Sequence, residues 1–168
     1  PVTEQYVIYM TNALHGDFGE SISKKGQQVA DIIISRFPVT AKLGLVAFAI
    51  ALVVGLVFGI ISALTKRRVT NNVITMIATM GVSIPGFLLA ILMMILFGVK
   101  LGWLPVVGLD SWKHYIMPAL ALSFSSISMI TRLTRSSLKD VMNKDYITLA
   151  RSKGTKEVMV TVKHGLKN

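Results

Sequence analysis

The feature that most constrains this fold is a pair of long segments that contain no charged side chain. No Asp, Glu, Lys or Arg occurs over residues 69–99 or over residues 43–65. A helix that crosses a bilayer needs roughly 20 mostly apolar residues. Both segments exceed that length, so the sequence predicts an all-α protein that crosses a membrane more than once.

Three membrane-spanning helices are predicted, over residues 41–64, 73–97 and 116–133. Pro85 and Gly86 fall within the second span and should kink it, because proline removes a backbone donor and crowds the preceding turn. Residues 1–40 are predicted to form an external segment. Within it, residues 29–37 are expected to form a short amphipathic helix that Pro38 breaks or redirects.

Two patterns inside the spans favour contact with protein over contact with lipid. Gly55 and Gly59 match the GxxxG pattern of closely packed membrane helices. The third span carries four serines, whose hydroxyls favour a protein-facing side: Ser123, Ser125, Ser126 and Ser128.

Charge sets the expected orientation. The chain has 18 Lys or Arg against 8 Asp or Glu, a formal net charge of +10. The positive charges cluster at residues 66–68 and from residue 132 onward. Cytoplasmic loops carry an excess of Lys and Arg, so both basic regions are expected in the cytoplasm. The N-terminal segment and the loop over residues 98–115, which contains Trp103 and Trp112, then lie outside.

Several classes of chemistry lack their characteristic residues. The sequence has no Cys and no glycine-rich P-loop. His15, His114 and His164 lie in separate segments without the spacing of metal ligands. No catalytic residue, cofactor site or metal site is predicted, and an ATP-driven process would need its ATPase in another chain.

The sequence also bears on two other functions, ion-coupled or passive transport and nucleic-acid binding. The spans contain no ionisable residue, which argues against an ion-coupled secondary transporter, although a secondary transporter or a channel subunit remains the alternative. Nucleic-acid binding by the basic tail would favour aromatic side chains interleaved with Lys and Arg. Tyr146 is the tail's one aromatic residue, so no nucleic-acid partner is expected.

Residues 145–157 have the pattern of two short helices around a tight turn. Gly154 suits the left-handed position that ends a helix, and Thr155 can cap the helix that follows. Tyr146 and Ala150 are four residues apart and are predicted to share one helix face. A solvated basic loop could show the same pattern, so these residues alone leave the function open.

The same segment resembles the EAA loop of ABC-importer permeases of the oligopeptide, dipeptide and nickel group. The matching residues are Asp145, Tyr146, Ile147, Ala150, Arg151, Lys153 and Gly154. Leu149 stands where Thr is usual, and Ser152 stands where Ala is usual. Further resemblance follows in order along the chain, at residues 16–19, 36–40, 83–87, 101–105, 117–120 and 132–137.

This resemblance implies a partial type I importer transmembrane domain, similar to the first of two permease subunits. In such importers two permeases form the path, ATPase subunits bind beneath them, and an external solute-binding protein delivers peptides or related solutes. The lipid bilayer of the inner or plasma membrane would surround the chain. The implied ATPase-coupling residues, in a cytoplasmic loop over residues 145–166, are Asp145, Tyr146, Ala150, Arg151, Lys153 and Gly154.

The two ends of the sequence suggest a fragment. The chain begins with Pro1 and stops at Asn168 without a further span. By resemblance it would hold spans two to four of six, and we expect that it cannot transport a solute alone.

Overall fold

The computed structural model describes residues 1–165, which form helices joined by turns and loops. The α-helices are α1 (Val2–Leu14), α2 (Val29–Leu64), α3 (Arg68–Ser83), α4 (Gly86–Met93), α5 (Lys113–Met142), α6 (Asp145–Ser152) and α7 (Glu157–Met159). Wider, π-helical turns continue α4 over Met94–Lys100 and α7 over Val160–Gly165. Within these residues the β structure is limited to one isolated bridge, so the all-α prediction is confirmed.

The chain divides into two compact units, Pro1–Leu43 and Gly44–Asn168. The first unit contains α1, a turn-rich loop and the first turns of α2. The backbone amide of Ser21 donates to Gln27 O at 2.9 Å, and that of Val29 donates to Gly19 O at 3.0 Å, which closes the loop. The sequence did not predict α1, which has no buried residue.

The expected break at Pro38 is wrong. Residues 29–37 form the first turns of α2, and the helix continues through Pro38 to Leu64. A proline removes one backbone donor, and the apolar sequence after it favours continued helix in which every other donor remains bonded. The same holds for α5, which contains Pro118 and extends on both sides of the predicted span over residues 116–133.

The predicted second span, over residues 73–97, consists of two helices rather than one. α3 ends at Ser83 and α4 begins at Gly86. The chain bends by 106° between α3 and the helical segment Gly86–Lys100. Ile84 has φ −90° and ψ 120°, the extended conformation that a following proline imposes. The kink predicted at Pro85 and Gly86 is thus a sharp corner, which we call the α3–α4 corner (residues 84–87).

Two helices among the described residues, α2 and α5, are each long and apolar enough to cross a membrane. The bent pair of α3 with the segment Gly86–Lys100 would add a third crossing if it is counted as one broken span.

Glycines bring α2 close to α5 within the second unit. A Cβ atom at Gly55 would lie 2.8 Å from Ile130 Cβ, and one at Gly59 would lie 2.5 Å from Thr134 Cβ. The buried hydroxyl of Thr131 donates to Gly55 O at 3.3 Å. The predicted role of the GxxxG pattern in packing is confirmed, and the rising residue numbers show that α2 and α5 run in the same direction.

α3 packs against another side of α5 and runs in the opposite direction. A Cβ atom at Gly81 would overlap Ser128 Oγ, and one at Gly86, three residues past the end of α3, would lie 3.6 Å from Ala121 O. The hydroxyl of Ser128 is buried at this contact and donates to Phe124 O of its own helix at 3.0 Å. Of the four serines expected to face protein, Ser123 and Ser128 are buried, whereas Ser125 and Ser126 are exposed.

Candidate functional site

The candidate site is the segment that follows α5, beginning with α6. α6 starts at Asp145, whose carboxylate lies in the first turn, and carries Arg151 in its last turn. Both charges complement the helix dipole. Lys144, the residue before the helix, has an extended backbone and gives no side-chain cap, so the helix begins without a capping hydrogen bond from that side chain.

The end of α6 forms a tight, fully bonded turn. The amide of Thr155 donates to Ala150 O at 3.3 Å, and the amide of Gly154 donates to Arg151 O at 2.9 Å. Gly154 has φ +77°, as the sequence predicts. These two bonds with a left-handed residue between them constitute a Schellman motif, which favours glycine because other side chains are strained there.

The start of α7 differs from the prediction. Lys156, not Thr155, occupies the N-cap position, and it makes no side-chain cap. The amide of Thr155 takes part in closing α6, so the chain enters the next helix one residue later.

An ion pair fastens α6 to α7 across this turn. Arg151 Nε lies 2.7 Å from Glu157 Oε1, and the Arg151 Nη2 atom donates to Oε2 at 3.3 Å. The hydrogen bond from Arg151 holds the pKa of the Glu157 carboxyl below its ordinary value, and the positive charge of Lys66 acts in the same direction. Arg151, predicted as a coupling residue, therefore has a partner within its own chain.

The loop between α2 and α3 lies beside this segment. A groove of about 720 Å³ has Lys66 among its lining residues, together with Ile60 of α2, Arg151 of α6 and Val162. The two basic regions of the sequence consequently meet at one end of the second unit.

One face of α6 belongs to the core of the unit. Ile147 and Val160 are completely buried, and Ala150 is 8% exposed in the same cluster, with Val141 and Met142 packed against it. The sequence predicts that Tyr146 and Ala150 share one helix face; in the structure Tyr146 is exposed, whereas Ala150 is buried. Ala150 contacts its own chain because Val160 returns over that side of α6.

The outward face of α6 presents apolar side chains. Tyr146 is 41% exposed and Leu149, three residues later, is 56% exposed. Sequence reasoning noted Leu149 only as a departure from the usual motif, although its spacing from Tyr146 could have identified it. Asp145, Lys153 and Gly154 are also exposed, while Pro85 and Gly86 lie apart from this segment, at the α3–α4 corner.

Comparison with known proteins places these features in a family. Residues 55–168 match the model described as "Binding-protein-dependent transport system inner membrane component". Glutathione transport system permease protein GsiC of Escherichia coli strain K12 is 42% identical over 168 residues, which is 100% of this chain and 55% of that protein.

The proteins of the same name from Shigella dysenteriae serotype 1 and Salmonella typhi show the same 42% identity and the same coverage. The chain thus spans about half the length of the curated relatives it matches, and these relatives are named as transport components rather than enzymes. The apolar helices agree with an integral membrane protein. The chain belongs to the family of binding-protein-dependent transport system inner membrane components, the permeases of ABC importers, within its peptide, dipeptide and nickel group.

Proposed function

We propose that this chain forms part of the membrane-spanning permease subunit of an ATP-driven, binding-protein-dependent importer of peptides or related solutes. The family match and the 42% identity to permeases named for glutathione transport support this function. The chain supplies part of the translocation path. ATP hydrolysis takes place on partner subunits, and a second permease and an external solute-binding protein complete the assembly.

The chain lies in the inner or plasma membrane and crosses it three times. The crossings are α2, α3 together with α4, and α5. The direction of α3, opposite to that of α2 and α5, supports this arrangement. The basic loop over residues 66–68 and the segment from α6 onward then lie in the cytoplasm, in keeping with the excess of Lys and Arg in cytoplasmic loops. Residues 1–40 and the loop between the α4 segment and α5 lie outside.

The segment from α6 to Gly165 is the element that couples the permease to the ATPase. The observation that carries this role is the construction of α6, which has one face buried in its own unit and another face exposed. Tyr146 and Leu149 provide exposed apolar area of the kind that anchors an interface. The Gly154 turn and the Arg151–Glu157 ion pair fix the direction of that face, so movement of the ATPase would reach α5 through Ile147 and Ala150.

Cross-linking tests this contact directly. A photoreactive amino acid placed at Leu149 in the full-length permease, assembled with its partners, should cross-link to the ATPase subunit. The same amino acid at Leu109, an exposed residue of the external loop, should not. If Leu149 cross-links only to lipid or to other permease segments, the coupling role of α6 is wrong.

The alternative, a secondary transporter or a channel subunit, makes a different prediction. Uptake by such a protein would continue without ATPase subunits. Vesicles that contain only this polypeptide should take up no peptide. It has too few crossings to enclose a path and no P-loop with which to use ATP.

A further inference from the structure

The surface of α3 divides into three faces of different chemistry. The buried face packs against α5 and consists of Ile74, Ala78 and Gly81. The apolar face is exposed and consists of Val69, Val73, Met76 and Met80, while Val82, also exposed, lies seven residues after Thr75 and so borders the polar side. The polar face is also exposed and consists of Asn72, Thr75, Thr79 and Ser83.

The spacing of the polar residues makes this division regular. Positions 72, 75, 79 and 83 differ by three or four residues, so they form one continuous stripe on a helix with 3.6 residues per turn. The apolar stripe is an adjacent row with the same spacing. Exposed polar groups are unfavourable against lipid hydrocarbon, whereas exposed Val and Met are not.

The polar face is only partly satisfied by its own helix. Thr79 Oγ1 donates to Thr75 O at 2.9 Å, and Ser83 Oγ donates to Thr79 O at 3.0 Å. Such bonds to a preceding turn let hydroxyls remain inside a membrane. The side-chain amide of Asn72 and the hydroxyl of Thr75 make no hydrogen bond within residues 1–165, so any partner of these two groups lies beyond the described residues.

A second observation comes from the α3–α4 corner, which follows the polar stripe. Pro85 has no backbone donor, and the amides of Gly86 and Phe87 find no acceptor in the part of the chain that the structure describes. α3 has 16 residues and is therefore about 24 Å long at 1.5 Å per residue, which is less than the roughly 30 Å of a hydrocarbon core. If α3 starts at the cytoplasmic surface, this corner lies within the membrane. Irregular backbone at that depth is tolerated only where it is buried in protein or lines a water-filled cavity.

We propose that the polar face of α3 and the α3–α4 corner line the hydrated solute path of the importer. This inference rests on the proposed function. The buried face already contacts α5, and the apolar face supplies the surface for lipid or for the second permease. The polar face carries the Asn72 side-chain amide and the Thr75 hydroxyl, which have no partner within residues 1–165, and water in the path would satisfy them.

The wall that results has no fixed charge, because α3 carries none between Val69 and Ser83. It offers hydroxyl, carboxamide and backbone amide groups. A solute would meet it through hydrogen bonds to its own amide and carbonyl groups, so the wall suits peptide-like solutes of differing net charge. Selection by net charge would have to come from elsewhere in the assembly.

Single-cysteine labelling in the intact transporter tests the proposal; this chain contains no native Cys, and any cysteine elsewhere in the assembly is replaced beforehand. The probe is a charged, water-soluble methanethiosulfonate reagent, which reacts with the thiolate that forms only in water. Thr79→Cys is compared with Met80→Cys, and Thr75→Cys is compared with Met76→Cys. Each pair shares one depth in the membrane and differs in helix face, and labelling after denaturation gives the total thiol.

We expect the two threonine positions to react roughly tenfold faster or more than their methionine neighbours, because the hydrated thiol is the one that ionises. Prior addition of the loaded binding protein with a non-hydrolysable ATP analogue should change the rate at Thr79→Cys and leave Met80→Cys slow. Equal rates within both pairs would overturn the proposal. So would oxidative cross-linking of Thr79→Cys to the second permease with no reaction with the reagent, because that result assigns the polar face to a subunit interface.

The labelling of resting transporter needs neither ATP hydrolysis nor a contact between α6 and the ATPase. Fast labelling at the threonine positions in a transporter whose uptake continues without ATPase subunits would refute the proposed function and leave a hydrated face in place. Slow labelling in a transporter whose ATPase is coupled normally would refute this inference alone.

Discussion

At the scale of single residues, Gly154 and the Arg151–Glu157 pair control the shape of the candidate coupling element. A Cβ atom at Gly154 would meet no atom within 4 Å, so the requirement for glycine there is conformational rather than steric. Glycine is required there only because of the positive φ of +77°, which strains other residues. By contrast, the ion pair depends on charge, and pH therefore acts on it.

The pKa of Glu157 provides a test of that pair. The hydrogen bond from Arg151 lowers the folded-state pKa below the ordinary value of 4.5. The pair therefore stabilises the turn fully above pH 4.5, and this contribution is lost as the pH falls through the folded-state pKa. A carbon-13 NMR titration of the Glu157 carboxyl in purified subunit should show a midpoint below 4.5.

The matched variant is Arg151→Gln, which removes the positive charge and keeps a long polar side chain. In this variant the Glu157 midpoint should rise, and the Thr155 amide should exchange faster with solvent near neutral pH. A midpoint that does not change would show that the ion pair seen in the structure is not formed in solution.

At the scale of helices, the close contact between α2 and α5 depends on Gly59. A Cβ atom there would lie 2.5 Å from Thr134 Cβ and 3.0 Å from Thr131 O, so Gly59→Ala must displace α5. Overpacking of this kind costs about 1–3 kcal/mol. Thermal unfolding of the purified subunit should show the loss as a lower transition temperature.

Gly44 is the matched control on the same helix. A Cβ atom at Gly44 meets nothing within 4 Å, so Gly44→Ala should be neutral or should stabilise the helix by up to about 1 kcal/mol. If both variants unfold at the same temperature, the close contact between Gly59 and α5 does not form in the purified subunit.

The helices also show what local chemistry can and cannot predict. The left-handed Gly154 and the corner at Pro85 follow from rules that involve one or two residues, so the sequence identified both positions. The 106° bend and the inward position of Ala150 depend on packing, whereas α2 continues through Pro38 because the apolar sequence after it favours helix. In particular, Ala150 is buried because Val160 and α5 cover it, and no spacing within α6 indicates that cover.

At the scale of the whole molecule, the proposed orientation rests on the positions of the basic regions. Single cysteines at Lys66 and Lys156 should be protected from an impermeant thiol reagent in intact cells, whereas one at Ser111 should react. Permeabilised cells supply the control, in which all three positions react. Labelling of Lys156→Cys from outside would reverse the assigned sides and remove the candidate site from the ATPase.

We propose that the turn after α6 transmits ATPase movement to the membrane-spanning helices. The test is ATP hydrolysis by the reconstituted full transporter, stimulated by its loaded binding protein, with Gly154→Val in the permease. The β-branched side chain strains the left-handed turn by roughly 1 kcal/mol or more and should misdirect Tyr146 and Leu149. Gly154→Asn, which tolerates positive φ, is the control.

We expect normal membrane abundance for both variants. For Gly154→Val, stimulated hydrolysis and the amount of co-purified ATPase should fall sharply, whereas both should be largely retained for Gly154→Asn. Stimulated hydrolysis at the native level with Gly154→Val would show that the direction of the exposed α6 face does not matter for coupling, and the coupling role of this turn would be wrong.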